Sequence, residues 1–319
     1  MPQPVKSLRG YNSSQQAGCK IPLVATVLLN SQQPPMQREQ ASPCGGKRLK
    51  GIVAESSAEC PLVTVVTAVF NGQPHVAECL ESVQRQDYPN IEHIVLDGGS
   101  NDGTVEVLRR YDDRIAFWKS EPDNGVYDAW NKSLAQARGE WICFLGADDE
   151  FLPGAVSAYM ALATENHQAE YLSSKVRWVH PSGYSRTFGE PWTWGRFSKF
   201  MCAAHVGSMH RSSLFDRLGT YDISYRSAAD YELLLRARHQ LNAAYMPVTT
   251  VMMRAGGVSD SNAAFEEATR AKITTGGRNA TLAAMELRIA NAKFVLRPLR
   301  RVLGSIVARR FNQERANEP

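Results

Sequence analysis

The chain has 319 residues, of which 43% are hydrophobic and 21% are charged, so it is long enough for one large α/β domain with a packed core and extensions. Its formal net charge is +4, but residues 271–319 contain ten basic and three acidic residues, which leaves the rest of the chain at −3. This distribution excludes nucleic-acid binding by the body of the protein, and any attraction to an anionic surface must come from the C-terminal end.

Cysteine usage and hydropathy indicate the compartment in which the protein works. The six cysteines show no paired metal-binding spacing, and Cys79 and Cys143 fall on faces that should be buried, which is typical of a reducing compartment. The best candidates for a membrane span, residues 21–29 and 62–70, are far too short to cross a bilayer. We therefore expect a cytoplasmic protein.

The N-terminal part of the chain differs in composition from the remainder. Residues 1–60 are rich in Gln, Ser, Pro and Gly and have no sustained apolar period, so we expect a disordered extension. A β-branched run at residues 62–70 then predicts a strand that ends at an Asn-Gly turn. Apolar residues at helical spacing come next, and residues 91–96 predict a second strand.

Strands and helices continue to alternate towards the middle of the chain. The turn DGGSNDGT at residues 97–104 precedes a helix, residues 115–118 predict a short strand, and residues 126–138 predict a helix closed by Gly139. Four such alternations indicate a parallel sheet with right-handed crossovers, whose loops gather at one edge. The predicted fold class is α/β, a mostly parallel sheet flanked by helices.

The run WICFLGADDE at residues 141–150 predicts a buried strand that stops at two adjacent carboxylates, Asp148 and Asp149. Ligands bind at the carboxyl ends of strands in open α/β sheets, and paired acids there suit a divalent cation and the phosphates that it bridges. The same acids precede Pro153 and could instead cap a helix over residues 153–163. These residue types alone leave both interpretations open.

Five short motifs together resemble family 2 glycosyltransferases, the nucleotide-sugar-dependent inverting enzymes of bacterial polysaccharide assembly. The motifs are TAVFN at residues 67–71, DGGSNDGT at 97–104, DNGVYDAWNK at 123–132, GADD at 146–149 and ADYELLLR at 229–236. Each is weak by itself, but their order and separations match the family. The resemblance implies a GT-A fold, a Rossmann-like α/β domain, over residues 61–262.

The resemblance also implies a nucleotide site at the edge of the sheet. Ala68 and Phe70 would line the nucleobase pocket, and Asp97 would accept a hydrogen bond from the base. The alternatives are an Asx turn for Asp97 and a core position for Phe70. Gly125 and Asn131 match the segment that passes beside the diphosphate, although Gly125 also suits a plain turn.

Asp148 and Asp149 match the acid motif of the family. The resemblance implies that Asp149 binds a metal directly, while Asp148 lies nearer the ribose and diphosphate and shares the metal site. Mg²⁺ or Mn²⁺ suits oxygen ligands of this kind, and a cation on the diphosphate neutralises charge on the leaving group. Many relatives have a further acid or Asn where Gly146 stands, so the number of ligands is open.

Asp230 matches the catalytic base of the family, which takes the proton of the acceptor hydroxyl as that hydroxyl attacks the anomeric carbon. The family usually has an acid just before this base, whereas this chain has Ala229 at that position. Asp230 could instead be a helix N-cap, and Glu232 is a rival base. His205 and His210 are expected nearby in packing or acceptor contacts, and neither is assigned a role.

The predicted C-terminal tail, residues 263–319, is a basic amphipathic helix that Pro298 should kink. Its apolar stripe contains Leu282, Met285, Ile289, Ala292, Leu296, Leu299, Leu303 and Ile306. Such a helix suits the inner face of a cell membrane, its own catalytic domain or a second chain. The lipid-linked acceptors that are common in the family favour the membrane.

The leading functional hypothesis is a metal-dependent inverting glycosyltransferase that moves a sugar from a nucleotide-diphosphate donor to a glycan or lipid-linked acceptor in polysaccharide biosynthesis. The alternative is a catalytically silent adaptor of the same fold that binds a nucleotide sugar or a glycan. The intact carboxylates Asp97, Asp148, Asp149 and Asp230 favour the enzyme.

Overall fold

A computed structural model describes residues 42–257 and 262–295, which contain one ten-stranded sheet with helices on its faces. The first half alternates strand and helix, as the hydrophobic pattern predicts. Its elements are β1 (Cys44–Gly45), β2 (Val63–Val69), α1 (Val76–Gln84), β3 (Ile91–Asp97), α2 (Thr104–Arg110), β4 (Phe117–Ser120), α3 (Val126–Leu134) and β5 (Trp141–Phe144).

The second half of the described chain is less regular and adds antiparallel strands. Its elements are β6 (Glu150–Phe151), α4 (Ala155–Glu165), β7 (Tyr171–Val179), β8 (Ser185–Phe188), α5 (Trp194–Phe197), β9 (Ser208–Arg211), α6 (Ser212–Leu218), α7 (Ala229–Ala237), β10 (Ala243–Arg254), α8 (Asn262–Thr274) and α9 (Ala280–Val295). Short 3-10 helices span Lys47–Lys50, His205–Gly207 and Arg238–Gln240.

The strand order is β1-β4-β3-β2-β5-β9-β7-β10-β6, with β8 paired to β7. The four strands β4, β3, β2 and β5 are parallel, which confirms the predicted α/β class. Antiparallel β9 lies next to β5, and beyond it β7 and β10 run parallel to each other. Because Val69 pairs with Asp97 and Val66 with Phe144, the C-terminal ends of β2, β3 and β5 meet at one edge.

Side chains of the central strands alternate between two helical layers, as the pleat of a strand requires. Val65 and Cys143 belong to a core shared with α1 and α4. Val66 and Phe144 belong to a second core, shared with α3 and α7. The second core lies beneath the two helices that carry Tyr127 and Asp230, so packing fixes both helices relative to the sheet.

The expectation that residues 1–60 are disordered is wrong for the last part of that range. Cys44–Gly45 adds a strand to the edge of the sheet by pairing with β4. Arg48 then forms an ion pair with buried Glu92 and donates a hydrogen bond to the carbonyl of Gln136 (2.7 Å). An open sheet edge and a buried carboxylate both require partners, and average composition does not reveal such specific needs. Residues 1–41 lie outside the described residues.

The predicted tail begins at a helix that packs on the body of the protein. In α8, Ala271 is fully buried, and Glu267 accepts hydrogen bonds from the backbone N–H groups of Arg226 (2.9 Å) and Ser227 (2.7 Å). Helix α9 exposes the first three members of the apolar stripe, Leu282, Met285 and Ile289. Pro298 and the rest of the stripe beyond α9 lie outside the described residues. Within the described residues, no helix is long and apolar enough to span a bilayer.

Candidate active site at the edge of the sheet

The two acids after β5 lie in a tight turn at the edge where β2, β3 and β5 end. Asp149 donates its backbone N–H to the carbonyl of Gly146 (3.0 Å), and its Oδ1 accepts the backbone N–H of Arg254 (3.0 Å). Helix α4 begins later, at Ala155, and Gly154 is its N-cap residue. The helix-cap interpretation of Asp148 and Asp149 is therefore wrong.

Asp149 is buried, whereas Asp148 is partly exposed. Burial disfavours the ionised form and the charge of Asp148 adds to the effect, which raises the pKa of Asp149 to about 7. A Cβ on Gly146 would lie 2.6 Å from Asp149 Oδ2, so the absence of a side chain there lets the carboxylate fold back against the turn. The turn thus holds one desolvated carboxylate with the charge of a second one near it.

The two acids fit a divalent cation only in part. Among residues 42–257 and 262–295, no three His, Cys, Asp or Glu side chains are grouped so that they could hold a metal. Mg²⁺ is typically bound by one or two carboxylates and completes its shell with substrate phosphates and water. The pair Asp148 and Asp149 therefore suits an ion that arrives with a diphosphate, and a cation would relieve their mutual repulsion.

Arg254, at the end of β10, contacts the acidic turn. It was not predicted as a site residue from the sequence. Its guanidinium pairs with Glu150 (2.8 Å) and Glu78 (2.8 Å), while its backbone N–H holds Asp149. It lies 105 residues from Asp149 in the chain, and no motif in the sequence marks it. The pairing of β10 with β6, which sets Met252 opposite Glu150, brings it to the site.

The predicted nucleobase contacts lie at the ends of β2 and β3. Ala68 is partly buried, and Phe70 is 66% exposed, so the core interpretation of Phe70 is wrong. Asp97 is buried and accepts hydrogen bonds from the backbone of Ser100 (2.9 Å) and from the hydroxyl of Ser120 (2.6 Å). The Asx turn is therefore formed, and any contact with a base would add to these bonds.

The motif at residues 123–132 forms the start of α3. Gly125 is exposed at its N-cap with φ 107°, and its N–H bonds to Asp123 Oδ1 (2.8 Å), so the turn interpretation also applies here. Asn131 holds a distant segment of the chain through its carboxamide. Its Nδ2 donates to the carbonyl of Tyr221 (2.8 Å) and its Oδ1 accepts the N–H of Tyr221 (2.9 Å). Both polar atoms of the carboxamide thus hold the loop that contains Tyr221.

Asp230 lies inside α7, which begins at Ala229 with Ala228 as its N-cap residue, so the cap interpretation is wrong. Its carboxylate is half-buried, and its Oδ1 accepts a hydrogen bond from the hydroxyl of Tyr127 (3.0 Å). Desolvation raises the pKa of Asp230 to about 6. A carboxylate with this pKa is a stronger base than an exposed one and is still mostly ionised near pH 7.

Glu232, the rival base, makes contacts that stabilise the fold. It is buried, bonds to the Nε of Arg236 (3.0 Å) and accepts the hydroxyl of Thr275 (2.8 Å). Arg236 in turn donates to the backbone carbonyls of Leu218 (2.8 Å) and Thr220 (2.8 Å). Glu232 therefore joins α7 to the residue just after α8 and, through Arg236, to the end of α6 and the loop that follows it.

His205 and His210 are buried in the aromatic core under this site. The His205 ring stacks on Phe144 with centroids 5.0 Å apart, and its Nε2 lies 3.3 Å from the hydroxyl of Tyr221. Burial lowers the pKa of His205 to about 3 and that of His210 well below its usual value. Both imidazoles are thus neutral near pH 7 and serve packing.

Comparisons with known sequences agree with this architecture. The profile described as Glycosyl transferase family 2 matches residues 64–210. An uncharacterized glycosyltransferase of Mycobacterium tuberculosis (strain CDC 1551 / Oshkosh) is 36% identical over 188 residues, which cover 56% of this chain and 69% of the relative. A PGL/p-HBAD biosynthesis glycosyltransferase of Mycobacterium bovis (strain BCG / Pasteur 1173P2) is 27% identical over 216 residues, 63% of this chain and 80% of the relative.

Solved structures show the same fold. S. aureus TarS 1-349 in complex with UDP-GlcNAc matches with a TM-score of 0.55 and 18% identity, over 74% of this chain and 72% of that one. The mannosyltransferase PcManGT from Pyrobaculum calidifontis, in complex with GDP-Man and Mn2+, matches with a TM-score of 0.51 and 19% identity, over 82% of this chain and 85% of that one. Together with the sequence relatives, the fold and the five motifs lead to one conclusion: this chain belongs to glycosyl transferase family 2.

Proposed function

We propose that the protein is an inverting glycosyltransferase that transfers a sugar from a nucleotide-diphosphate donor to a hydroxyl of a glycan or lipid-linked acceptor. The observation that carries the proposal is the environment of Asp230. This half-buried carboxylate has a pKa raised to about 6, and one of its oxygens accepts a hydrogen bond from Tyr127. A general base needs this combination of fixed position and raised basicity.

The reaction is a single displacement. The acceptor oxygen forms a bond to the anomeric carbon while the bond from that carbon to the diphosphate oxygen breaks, and the electron pair leaves with the diphosphate. The proton of the acceptor hydroxyl moves to Asp230 Oδ2. Attack from the face opposite the leaving group inverts the anomeric configuration.

We assign Asp149 and Asp148 to a Mg²⁺ or Mn²⁺ ion that arrives with the donor. When bound, such an ion supplies positive charge against the charge that develops on the departing diphosphate. The N–H of Arg254 bonds to Asp149 Oδ1 and so fixes the orientation of the carboxylate that would hold the cation. The Mn2+ in the PcManGT complex supports the use of a divalent cation with the donor.

Ala68, Phe70 and Asp97 are the proposed contacts of the nucleobase. The exposed ring of Phe70 offers a flat apolar surface at the end of β2, next to the buried carboxylate of Asp97 on β3. Gly125 opens onto empty space at the start of α3, so a diphosphate can approach its backbone closely. The UDP-GlcNAc and GDP-Man of the two structural neighbours support a nucleotide-sugar donor.

A lipid-linked acceptor would place the protein at a membrane surface. The exposed Leu282, Met285 and Ile289 of α9 and the basic residues that come after them in the sequence support contact with anionic lipid. The PGL/p-HBAD biosynthesis relative is consistent with polysaccharide or glycolipid assembly. Sedimentation with phosphatidylglycerol vesicles should fall several-fold in Met285→Glu, and equal sedimentation of this variant would contradict membrane contact through α9.

Asp230→Asn tests the proposed chemistry. We expect nucleoside diphosphate release from UDP-GlcNAc or GDP-mannose, measured with Mn²⁺, to fall by about two or more orders of magnitude while the melting temperature stays within a few degrees. Asp216→Asn, which changes an exposed carboxylate on α6, is the matched control and should keep full turnover. The silent-adaptor alternative forecasts that the parent binds donor without releasing nucleoside diphosphate, so that neither substitution changes turnover.

A further inference from the structure

We propose that Tyr127 is the positioning residue of the catalytic base: its hydroxyl holds one oxygen of Asp230 and directs the other towards the acceptor. The inference rests on the proposed role of Asp230 and adds a function for α3 that neither the motif nor the family comparison assigns. Helix α3 thereby positions the proposed base as well as contacting the donor.

The contact joins two helices that are distant in the chain. Tyr127 Oη lies 3.0 Å from Asp230 Oδ1 across a separation of 103 residues. The Tyr127 side chain is buried, and its ring meets Trp130 edge-on with centroids 5.2 Å apart and lies 5.7 Å from the ring of Tyr221. Ring packing therefore restricts the direction in which the hydroxyl points.

A second contact fixes the two helices relative to each other. Asn131, one turn along α3, binds both backbone polar groups of Tyr221 in the loop that leads to α7. Because Tyr127 and Asn131 lie on the same side of the helix, one face of α3 holds both the loop and the base. The position of Asp230 is therefore set by α3 as well as by α7.

Tyr127 acts as a hydrogen-bond donor and not as a base. Burial and the neighbouring Asp230 carboxylate raise the pKa of its phenol well above the usual value, so it keeps its proton. Among the described residues, the phenols of Tyr221 and Tyr171 also feel the charge of Asp230, and the neutral imidazole of His205 lies beyond Tyr221. Donation from Tyr127 stabilises the ionised carboxylate and opposes the effect of burial on its pKa.

The decisive experiment is the pH profile of Tyr127→Phe. The acid limb of nucleoside diphosphate release from UDP-GlcNAc or GDP-mannose, whichever the parent hydrolyses faster, should move up by about half to one pH unit, since the carboxylate loses a donor. Turnover at pH 6 should fall about two- to fivefold more than turnover at pH 8.5. Tyr231→Phe is the matched control, because its buried hydroxyl donates to the carbonyl of Phe197 (2.6 Å) and not to Asp230.

Two further measurements keep the test independent of activity and of one variant. The free energy of unfolding is measured against pH for two pairs of proteins: the parent with Asp230→Asn, and Tyr127→Phe with the double variant. The difference within each pair reports the titration of Asp230, whose midpoint should rise when Tyr127 is replaced by Phe. 3-Fluorotyrosine at position 127 preserves the packing and makes the phenol more acidic. It should move the acid limb in the opposite direction, to lower pH.

The outcomes separate the inference from the proposed function. A uniform loss of turnover at all pH values, with an unchanged titration midpoint, would overturn the role of Tyr127 while leaving Asp230 as the base. Full turnover in Asp230→Asn would instead show that Asp230 is not the base. The titration midpoint of Asp230 in Tyr127→Phe would then still decide whether the Tyr127 hydrogen bond exists.

Discussion

Asp149 and Asp230 are two carboxyl groups whose pKa values are raised by the same cause, burial, but their neighbours differ. Asp149 has the charge of Asp148 beside it, which favours a bound cation, and its pKa is raised to about 7. Asp230 has a phenol that donates a hydrogen bond, and its pKa is raised to about 6. The neighbours, rather than the residue type, therefore distinguish a candidate metal ligand from a candidate base.

Asp149→Asn tests the metal assignment at the residue scale. Asn keeps the shape and one oxygen for the N–H of Arg254 but carries no charge, so we expect donor binding to become insensitive to Mn²⁺ while the melting temperature stays within a few degrees. Calorimetric titration with UDP-GlcNAc or GDP-mannose, with and without Mn²⁺, measures this. Asp113→Asn, an exposed carboxylate, should keep the full Mn²⁺ response. Retained metal response in Asp149→Asn would move the site away from this turn.

At the scale of elements, α3 and the loop before α7 behave as one unit because Asn131 joins them. Asn131→Ala removes two hydrogen bonds to the buried backbone of Tyr221 and should cost about 1–3 kcal/mol of unfolding free energy. Donor affinity should be unchanged in the folded protein. Gln136→Ala, an exposed change just beyond the end of α3, is the control. A large loss of donor affinity without a loss of stability would restore Asn131 as a diphosphate contact.

Helix α7 carries a catalytic candidate, Asp230, and a structural acid, Glu232, on different faces of its first turn. Glu232→Gln weakens the bonds to Arg236 and Thr275, so we expect a loss of about 1–3 kcal/mol in unfolding free energy with turnover per folded molecule unchanged. Chemical denaturation and donor hydrolysis measure the two effects. If Glu232→Gln abolished turnover while Asp230→Asn kept it, Glu232 would be the base.

At the scale of the molecule, the fold begins before the first predicted strand. A protein that starts at residue 61 loses β1 and Arg48, which leaves Glu92 buried without its ion-pair partner and should cost about 3 kcal/mol or more relative to one that starts at residue 42. Thermal denaturation of the two truncated forms measures this. Glu92→Gln should recover part of the loss in the shorter form. Equal stability of the two forms would contradict a structural role for residues 42–60.

Much of the fold could be predicted from local patterns. The β-branched run of β2, the turn after β3 and the apolar run of β5 each predicted an element that the structure confirms, because buried parallel strands have a distinctive composition. Patterns of this kind could not place β9 and β10, since their partners come from distant parts of the chain. The acids at the strand ends were identified, whereas Arg254 and Tyr127 were not, because each matters only through a contact with a distant residue.

The sequence by itself determined the α/β class, the edge of the sheet where acids collect and the family motifs, all of which depend on neighbours close in the chain. Tertiary structure decided which acids are accessible, which are paired and which are desolvated. Asp230 and Glu232 look equivalent in sequence, but one meets the hydroxyl of Tyr127 and the other meets Arg236 and Thr275. Basicity depends on burial and hydrogen bonding, and these are properties of the packed protein rather than of a short segment.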